Sequence, residues 1–169
     1  MSSRNGTVVL EEHGAAVRFE RFLPHGIETV WAAITEPAQL AQWFGPAHIE
    51  AWEGGAVELT PEGPPAPEEA RRVTGRVLTW EPPHVFEYES RQEVSGTTAV
   101  RYELRAVEGG VALILTHRRL DPEAAGGFAP GWGAYLDRLE AHVAGAPLPE
   151  WMERYEAAEA AHGGGNEHE

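Results

Sequence analysis

Apolar side chains recur at helical spacing in residues 29–46 and predict two short helices. In the first helix, Val30, Trp31 and Ile34 lie one, three and four residues apart and share one face. Pro37 ends this helix, because the residue before a proline avoids the helical region of backbone space. A helix this short is not stable alone in water, so the pattern predicts that its apolar face covers a sheet.

The second short helix begins after this proline. It carries Leu40 and the pair Trp43 and Phe44 on its apolar side. Gly45 and Pro46 stop the helix, since both residue types interrupt helical patterns. The second helix therefore needs the same apolar support as the first.

Alternation of apolar and polar residues predicts strands in much of the remaining chain. Val100, Tyr102 and Leu104 alternate with Arg101 and Glu103, which is the period of an antiparallel sheet with one face in water. A pair of glycines separates this strand from the next and indicates a hairpin. The predicted strands cover residues 7–10, 16–22, 72–80, 85–90, 97–107 and 111–118, with one or two short strands in residues 47–60.

The last third of the chain predicts a long amphipathic helix. Asp121 and Pro122 are typical of a helix start, as cap and first residue, and Pro130 kinks or restarts the helix. Apolar residues follow at spacings of four, four, three and four, and such a stripe must be buried against another layer. The stripe consists of Phe128, Trp132, Leu136, Leu139 and Val143.

Motifs in residues 29–46 resemble those of one protein family. They read Val-Trp, then Thr-Glu-Pro, then Leu-x-x-Trp-Phe-Gly-Pro. Further matching motifs follow in the family's order: Gly54-Gly55, Gly75-Arg76-Val77, Glu81-Pro82-Pro83, Leu115-Thr116-His117, and Gly131-Trp132 through Leu136-Asp137-Arg138-Leu139. Residues 15–145 thus resemble START-like proteins of the SRPBCC superfamily, in the branch of homologues of the co-chaperone that activates the 90-kDa heat-shock ATPase. One departure is Trp52-Glu53, where the family often has Arg-Pro.

The resemblance implies an α+β fold of the helix-grip type. In this fold a curved antiparallel sheet of about six to seven strands wraps around a long C-terminal helix, with two short helices after the first core strand. Residues 1–145 form the expected START-like domain, with residues 1–14 as an N-terminal strand extension. Residues 146–161 are predicted to form a short acidic helix, and the polar, Gly-rich residues 162–169 a disordered tail. Such a sheet commonly leaves a cavity beside its helix.

The chain carries a net charge of −14, and most of the excess lies in two regions. Residues 47–70 hold six Glu and no basic residue, while residues 146–169 hold six Glu and one Arg. No basic stripe is left to bind nucleic-acid phosphates or an anionic membrane surface. Four prolines in residues 61–67 predict an acidic loop, which we expect to be mobile.

Membrane and export signals are missing from the sequence. The sequence contains no run of 18 apolar residues, so no transmembrane helix is predicted. Residues 1–6 lack the apolar segment of a signal peptide. The chain has no Cys, so there is no disulfide framework and no thiolate nucleophile. We therefore expect a cytoplasmic protein.

Candidate catalytic motifs are also missing. The eight His residues form no metal-ligand pattern, no Ser occupies a nucleophile motif, and no Gly-rich loop has phosphate-binding features, so we expect no metal and no cofactor. Acid–base chemistry stays open, because a carboxylate at Glu87 or Glu89 that faced an apolar cavity would have a raised pKa. Strand alternation favours the opposite orientation, with Phe86 and Tyr88 inside and the two glutamates in water.

Aromatic residues are numerous for one small core, and ligand pockets are lined by such groups. Trp and Tyr also carry a polar atom that needs a partner. Plain core packing is the more common role for any single ring, and Trp31 is expected to be core. We predict an apolar pocket between the sheet and the long C-terminal helix, lined by Trp43, Phe44, Val77, Phe86, Tyr88, Tyr102, Trp132, Tyr135 and Leu136.

Three functions fit these patterns. The first hypothesis is a non-catalytic protein that binds a small hydrophobic or aromatic molecule. The second is a cyclase-, aromatase- or hydrolase-like enzyme of the same superfamily. Its proton-transfer groups would be Glu87, Glu89, His117 or Tyr88, and Arg101 would be the partner of an anion. The third is a protein-binding module like the co-chaperone, with the acidic loop 61–70 and the acidic tail meeting a basic partner. A homodimer is compatible with each.

Overall fold

The computed structural model describes residues 3–63, 65–92 and 96–166. Its strands are β1 (Thr7–Glu11), β2 (Gly14–Leu23), β3 (Ala47–Ile49), β4 (Ala56–Leu59), β5 (Val73–Glu81), β6 (Val85–Gln92), β7 (Gly96–Val107) and β8 (Gly110–Leu120). Its α-helices are α1 (Ile27–Thr35), α2 (Pro37–Trp43), α3 (Glu68–Arg71), α4 (Ala129–Ala144) and α5 (Trp151–Asn166). Short 3₁₀ helices occupy Ser3–Asn5 and Ala125–Phe128.

The strands form one antiparallel sheet in the order β1-β2-β8-β7-β6-β5-β4-β3. The two short helices α1 and α2 follow β2, and α4 lies near the C-terminus, so the predicted α+β helix-grip fold is confirmed. The sheet has eight strands in the described residues, against the six to seven expected. The difference arises at its edges, where β1 adds to β2 and residues 47–59 supply two strands.

Alternation explains how the strands present one face to the core. On β2, Val17 and Phe19 are fully buried, while Arg18 and Glu20 face the other side. Opposite them in the sheet, β7 and β8 bury Tyr102 and its cross-strand partner Leu115. On β2, β7 and β8, alternate side chains thus point into the core.

Arg21 joins the sheet to the long helix α4. Its side chain is almost fully buried and its Nη1 donates to Asp137 Oδ1 at 2.9 Å and Glu140 Oε2 at 3.1 Å. Its Nε donates to the backbone oxygen of Arg4 at 2.8 Å. A buried guanidinium needs such carboxylate partners, so this contact fixes how α4 crosses β2.

The long helix begins later than the sequence predicted. Asp121 and Pro122 lie in a turn, and α4 starts at Ala129 after the separate 3₁₀ helix. Two glycines in that 3₁₀ segment disfavour a continuous helix. Pro130 sits in the first turn of α4, where its missing N–H has no helical partner to lose. Gly145, with φ 71°, closes the helix in the left-handed conformation.

The last helix extends further than predicted. α5 continues to Asn166, whereas the sequence predicted a helix to residue 161 and a disordered tail over 162–169. The glycine run at 163–165 is unfavourable in a helix and caused the early predicted end. Residues 167–169 of the predicted tail lie outside the described residues. Among the helices described, none is long and apolar enough to cross a membrane.

Candidate ligand pocket

A cavity of about 380 Å³ lies between the inner face of the sheet and the helices α3, α4 and α5. Its volume falls in the usual range of small-molecule pockets, roughly 300–1,000 Å³. Seven of the side chains around it are aromatic, and they come from five parts of the fold. These aromatic residues are Phe44, Tyr88, Phe128, Trp132, Tyr135, Trp151 and Tyr155.

Four of the nine residues predicted for the pocket line this cavity. They are Phe44, Tyr88, Trp132 and Tyr135. Phe44 packs against Tyr135 with ring centroids 4.6 Å apart and stacks on Trp132 at 6.0 Å. These contacts join the end of α2 to the first two turns of α4, so one wall of the cavity is a continuous aromatic surface.

The other five predicted residues are packed in the core beside the cavity and do not line it. Trp43 is fully buried and its Nε1 donates to the backbone oxygen of Ala33 at 2.9 Å, which links α2 to α1. Phe86 stacks on Tyr102 with centroids 6.2 Å apart and an interplanar angle of 3°. The remaining two of the five, Val77 and Leu136, are also buried.

Sequence reasoning missed the contribution of α5. Trp151 and Tyr155 stack on each other with centroids 4.9 Å apart, and both line the cavity. Their spacing of four residues indicated a helix with one aromatic face. Nothing in the sequence showed that this helix would pack against α4 and close the pocket.

Residues 61–63 of the predicted mobile loop are attached to α4. The hydroxyl of Tyr135 accepts a hydrogen bond from Gly63 N at 2.9 Å and donates to Gly63 O at 2.8 Å. The ring of Trp151 lies against the same glycine, since an added Cβ would be 2.2 Å from its Cδ2. Only glycine leaves room for this contact, so Gly63 brings the loop, α4 and α5 together at the cavity.

Both ring nitrogens of His117, a buried polar group of the pocket, have partners within the protein. Its Nδ1 accepts a hydrogen bond from Trp132 Nε1 at 3.0 Å, and its Nε2 lies 2.8 Å from the hydroxyl of Thr98. An indole N–H can only donate, so Nδ1 must carry a lone pair and the proton must reside on Nε2. Burial lowers the pKa of His117 to about 4, and the imidazole is therefore neutral at pH 7.

This arrangement leaves His117 without a free nitrogen to serve as a base. Thr98 accepts from Nε2–H and its own hydroxyl is 3.4 Å from the backbone oxygen of Ser90. Tyr88 also lines the cavity, and burial raises the pKa of its phenol, so that group stays protonated. Neither residue is set up to take a proton from a substrate.

Glu87 and Glu89 lie on the outer face of the sheet, as strand alternation favoured, but they are not in open water. Glu87 accepts from Arg101 Nη1 at 3.1 Å and Arg118 Nη1 at 3.3 Å. Glu89 Oε1 is 2.8 Å from Arg91 Nη2. Arg101 of β7 and Arg118 of β8 thus cover Glu87, and Arg91 of the same strand covers Glu89. Of the five groups proposed for an enzyme, only Tyr88 and His117 line the cavity.

Replacing Glu87 with glutamine should therefore affect stability and leave the cavity unchanged. We expect the free energy of unfolding to fall by about 1 kcal/mol, because the amide keeps the shape but loses the charge that the two arginines share. Urea unfolding measures the first effect, and titration with the neutral fluorophore N-phenyl-1-naphthylamine measures binding. Glu103→Gln is the matched control, since Glu103 accepts from Arg101 at 2.7 Å but its side chain is 39% exposed. Loss of probe binding in Glu87→Gln would contradict its placement outside the pocket.

No cluster of three or more His, Asp or Glu side chains in the described part of the chain is arranged to hold a metal ion. The polar groups that line the cavity are few and are mostly engaged with the protein itself. The site is thus an apolar, mainly aromatic pocket with a small number of fixed hydrogen-bonding groups.

Fold and cavity together define a START-like helix-grip protein. Residues 24–144 match the family model described as activator of Hsp90 ATPase homolog 1-like protein. This match covers most of the chain, and the protein belongs to that family. Among proteins with curated descriptions, none matches the chain.

Three solved structures with the same fold share 20–28% of their residues with this chain. CalU16 from Micromonospora echinospora is 21% identical over 92% of this chain and 93% of its own, with a TM-score of 0.74. The protein encoded by gene BPP1335 of Bordetella parapertussis is 28% identical over 95% and 91%, with a TM-score of 0.70. DynU16, from the dynemicin biosynthetic locus, is 20% identical over 78% of this chain and 48% of its own, with a TM-score of 0.67.

Proposed function

We propose that the protein binds a small, predominantly apolar or aromatic molecule in this cavity and does not transform it. The observation that carries the proposal is a cavity of about 380 Å³ with seven aromatic side chains among the residues that line it. The rings that line an empty apolar cavity have no dispersion contacts on the side that faces it, and a ligand would supply them. A flat molecule of about two fused rings fits such a volume.

The polar groups support binding more than catalysis. Both ring nitrogens of His117 are engaged, and the two glutamates proposed as acids or bases lie on the other side of the sheet. A general base must reach the proton that it abstracts. No carboxylate from the described residues lines the cavity, so the site offers contact area and orientation.

Native mass spectrometry of the protein purified from its own host tests the proposal. We expect a mass excess that disappears after denaturation, and the excess identifies the class of the bound molecule. A protein without excess mass that also fails to bind N-phenyl-1-naphthylamine would contradict the proposal. The same spectrum reports whether the chain is a monomer or a homodimer.

Filling the cavity should weaken ligand binding without unfolding the protein. Ala70 lies on α3, lines the cavity and is partly exposed, so the indole of Ala70→Trp has room to enter the cavity from its edge. We expect the affinity for N-phenyl-1-naphthylamine to fall at least about tenfold, because the new ring occupies the apolar volume that the probe needs.

The matched control is Ala38→Trp. Ala38 also lies on a short helix, α2, but it is exposed and outside the cavity. This variant should bind the fluorophore like the wild type. Equal affinities for all three proteins would show that the probe binds elsewhere.

A further inference from the structure

We infer that the ligand carries a carboxylate, which pairs with the guanidinium of Arg71 at the edge of the cavity while the apolar body of the ligand lies among the aromatic rings. The inference rests on the proposed function and adds the chemical class of the molecule bound. Among the described residues that line the cavity, Arg71 carries the one charge, and none is a carboxylate. An anion in this cavity would therefore meet a cation and no like charge on its walls.

Arg71 is the last residue of α3, and its guanidinium lies at the cavity edge. Its Nε donates to the backbone oxygen of Ala66 at 2.9 Å, and its Nη1 donates to that of Pro61. Both of these residues also line the cavity. Burial raises the pKa of Tyr135, another lining residue, and the positive charge of Arg71 is close enough to oppose this shift in part. The loop before α3 thus holds the guanidinium beside the cavity.

The third nitrogen of this guanidinium is available to a ligand. Nη2 has no acceptor among the described residues, since the two hydrogen bonds of the side chain come from Nε and Nη1. It is not enclosed by protein either, because the only buried side-chain polar atoms without a partner in the described part of the chain belong to Glu89 and Trp151. A planar carboxylate matches the geometry of such free guanidinium donors.

The neighbouring glutamates do not neutralise Arg71, because each has a cation of its own. Glu62 and Glu68 border a small groove next to Arg71. Glu62 accepts from Arg138 Nη2 at 2.9 Å, and Glu68 accepts from Arg72 Nη2 at 3.1 Å. Arg71 therefore brings a positive charge without a counter-ion to an apolar cavity. A charge beside apolar space is unfavourable unless it is paired, and a ligand carboxylate would pair it.

Ser90 adds a neutral hydrogen-bonding group at the same end of the cavity. It points inward from β6, on the same face as Tyr88, and only 6% of the residue is exposed. Its hydroxyl has no partner among the described residues, and its oxygen is not one of the two enclosed atoms, so it is open to the cavity. Gln92, the next residue on that face, donates to the backbone oxygen of Arg71 at 3.3 Å. The polar groups open to a ligand thus include this hydroxyl near α3, while aromatic rings form the opposite wall.

Three naphthalenes of nearly the same shape provide the test. At neutral pH, 2-naphthoate is an anion, 2-naphthamide is uncharged and 2-naphthamidinium is a cation. Their dissociation constants are measured by calorimetry for the wild type and for Arg71→Gln, which keeps a donor for the loop and removes the charge. Arg72→Gln is the matched control, because Arg72 is the adjacent arginine, its side chain is 45% exposed and it does not line the cavity.

In the wild type we expect 2-naphthoate to bind about tenfold more tightly than 2-naphthamide, and 2-naphthamidinium to bind most weakly. The net charge of −14 acts against an anion, so this order requires a local cation. Arg71→Gln should weaken binding of 2-naphthoate about tenfold and of 2-naphthamide less than about twofold. Arg72→Gln should leave all three dissociation constants unchanged. The order in the wild type needs no variant and tests the inference even if Arg71→Gln does not fold.

The contrary outcomes separate this inference from the proposed function. If 2-naphthamide or 2-naphthamidinium binds the wild type as tightly as 2-naphthoate, the pairing with Arg71 is wrong while the pocket remains a binding site. The same holds if Arg71→Gln weakens the anion and the amide equally, because such a loss reflects the shape of the loop and not the charge. If none of the three compounds binds the wild type up to its solubility limit, both the inference and the proposed function are overturned.

Discussion

Replacing Arg138 with alanine is expected to lower the free energy of unfolding by about 3 kcal/mol. The Arg138 side chain is 9% exposed and donates to three backbone oxygens: Trp43 at 2.9 Å, Pro149 at 2.6 Å and Gln42 at 3.4 Å. It also donates to Glu62 Oε1 at 2.9 Å. One guanidinium thus holds the end of α2, the loop before α3 and the segment before α5 onto α4.

The size of the effect follows from what the substitution leaves behind. Glu62 is 48% exposed and can return to water, so the lost ion pair contributes little by itself. The Trp43 and Pro149 carbonyls lose a charged donor, and each such hydrogen bond is worth about 1.5 kcal/mol or more. For a chain of this size, the sum corresponds to a fall in Tm of roughly 6–12 °C.

Thermal and urea unfolding measure this change. Arg105→Ala is the matched control, since Arg105 is exposed on β7 and should alter the free energy of unfolding by less than about 0.5 kcal/mol. Arg138→Lys should recover only part of the loss, because one ammonium cannot reach acceptors on three segments. A Tm for Arg138→Ala equal to that of Arg105→Ala would show that Arg138 does not hold these segments together.

The fold was predictable because its elements carry strong local patterns. Alternation along β7, helical spacing around Trp31 and the apolar stripe from Trp132 each indicate one kind of element and one buried face. The start of α4 was not predicted correctly, since Asp121-Pro122 is a good local helix start and only the later glycines oppose it. These two local signals oppose each other, and in the folded protein α4 begins only after the glycines.

The pocket was only partly predictable, for a physical reason. Periodicity tells which face of an element is buried, but it does not tell whether the buried side chain meets another side chain or an empty space. Phe86 and Tyr88 are both buried on β6, and only Tyr88 lines the cavity. Trp151 reaches the cavity because Gly63 leaves room for its ring, and a contact between residues so distant in sequence has no local signal.

The stability of the protein should fall at acidic pH because of His117. Burial lowers the pKa of this imidazole to about 4 in the native state, against about 6.5 in the unfolded chain. Between these two values the unfolded chain binds a proton that the native protein does not, so lowering the pH favours unfolding. Above pH 6.5 both states are neutral at this site and its contribution to stability is constant. We expect His117 to account for a loss of about 2 kcal/mol between pH 8 and pH 5.

The contacts of the ring explain why the native state resists protonation. Nδ1 accepts from Trp132, and a proton added there would face another N–H donor. Phe128 packs edge-on against the ring with centroids 5.0 Å apart, and none of the described contacts of His117 is a carboxylate. Nothing near the ring therefore stabilises the charged form.

Urea unfolding from pH 8 to pH 5 measures the prediction, with His117→Gln as reference. Glutamine offers an acceptor and a donor but does not titrate, so the difference between the two pH profiles isolates His117 from the carboxylates and from the other seven His residues. In the wild type, the ¹⁵N resonance of Nδ1 should stay in the range of an unprotonated ring nitrogen down to pH 5. Parallel stability profiles, or a protonated Nδ1 at pH 6, would mean that His117 is charged in the native state and that Trp132 does not fix its tautomer.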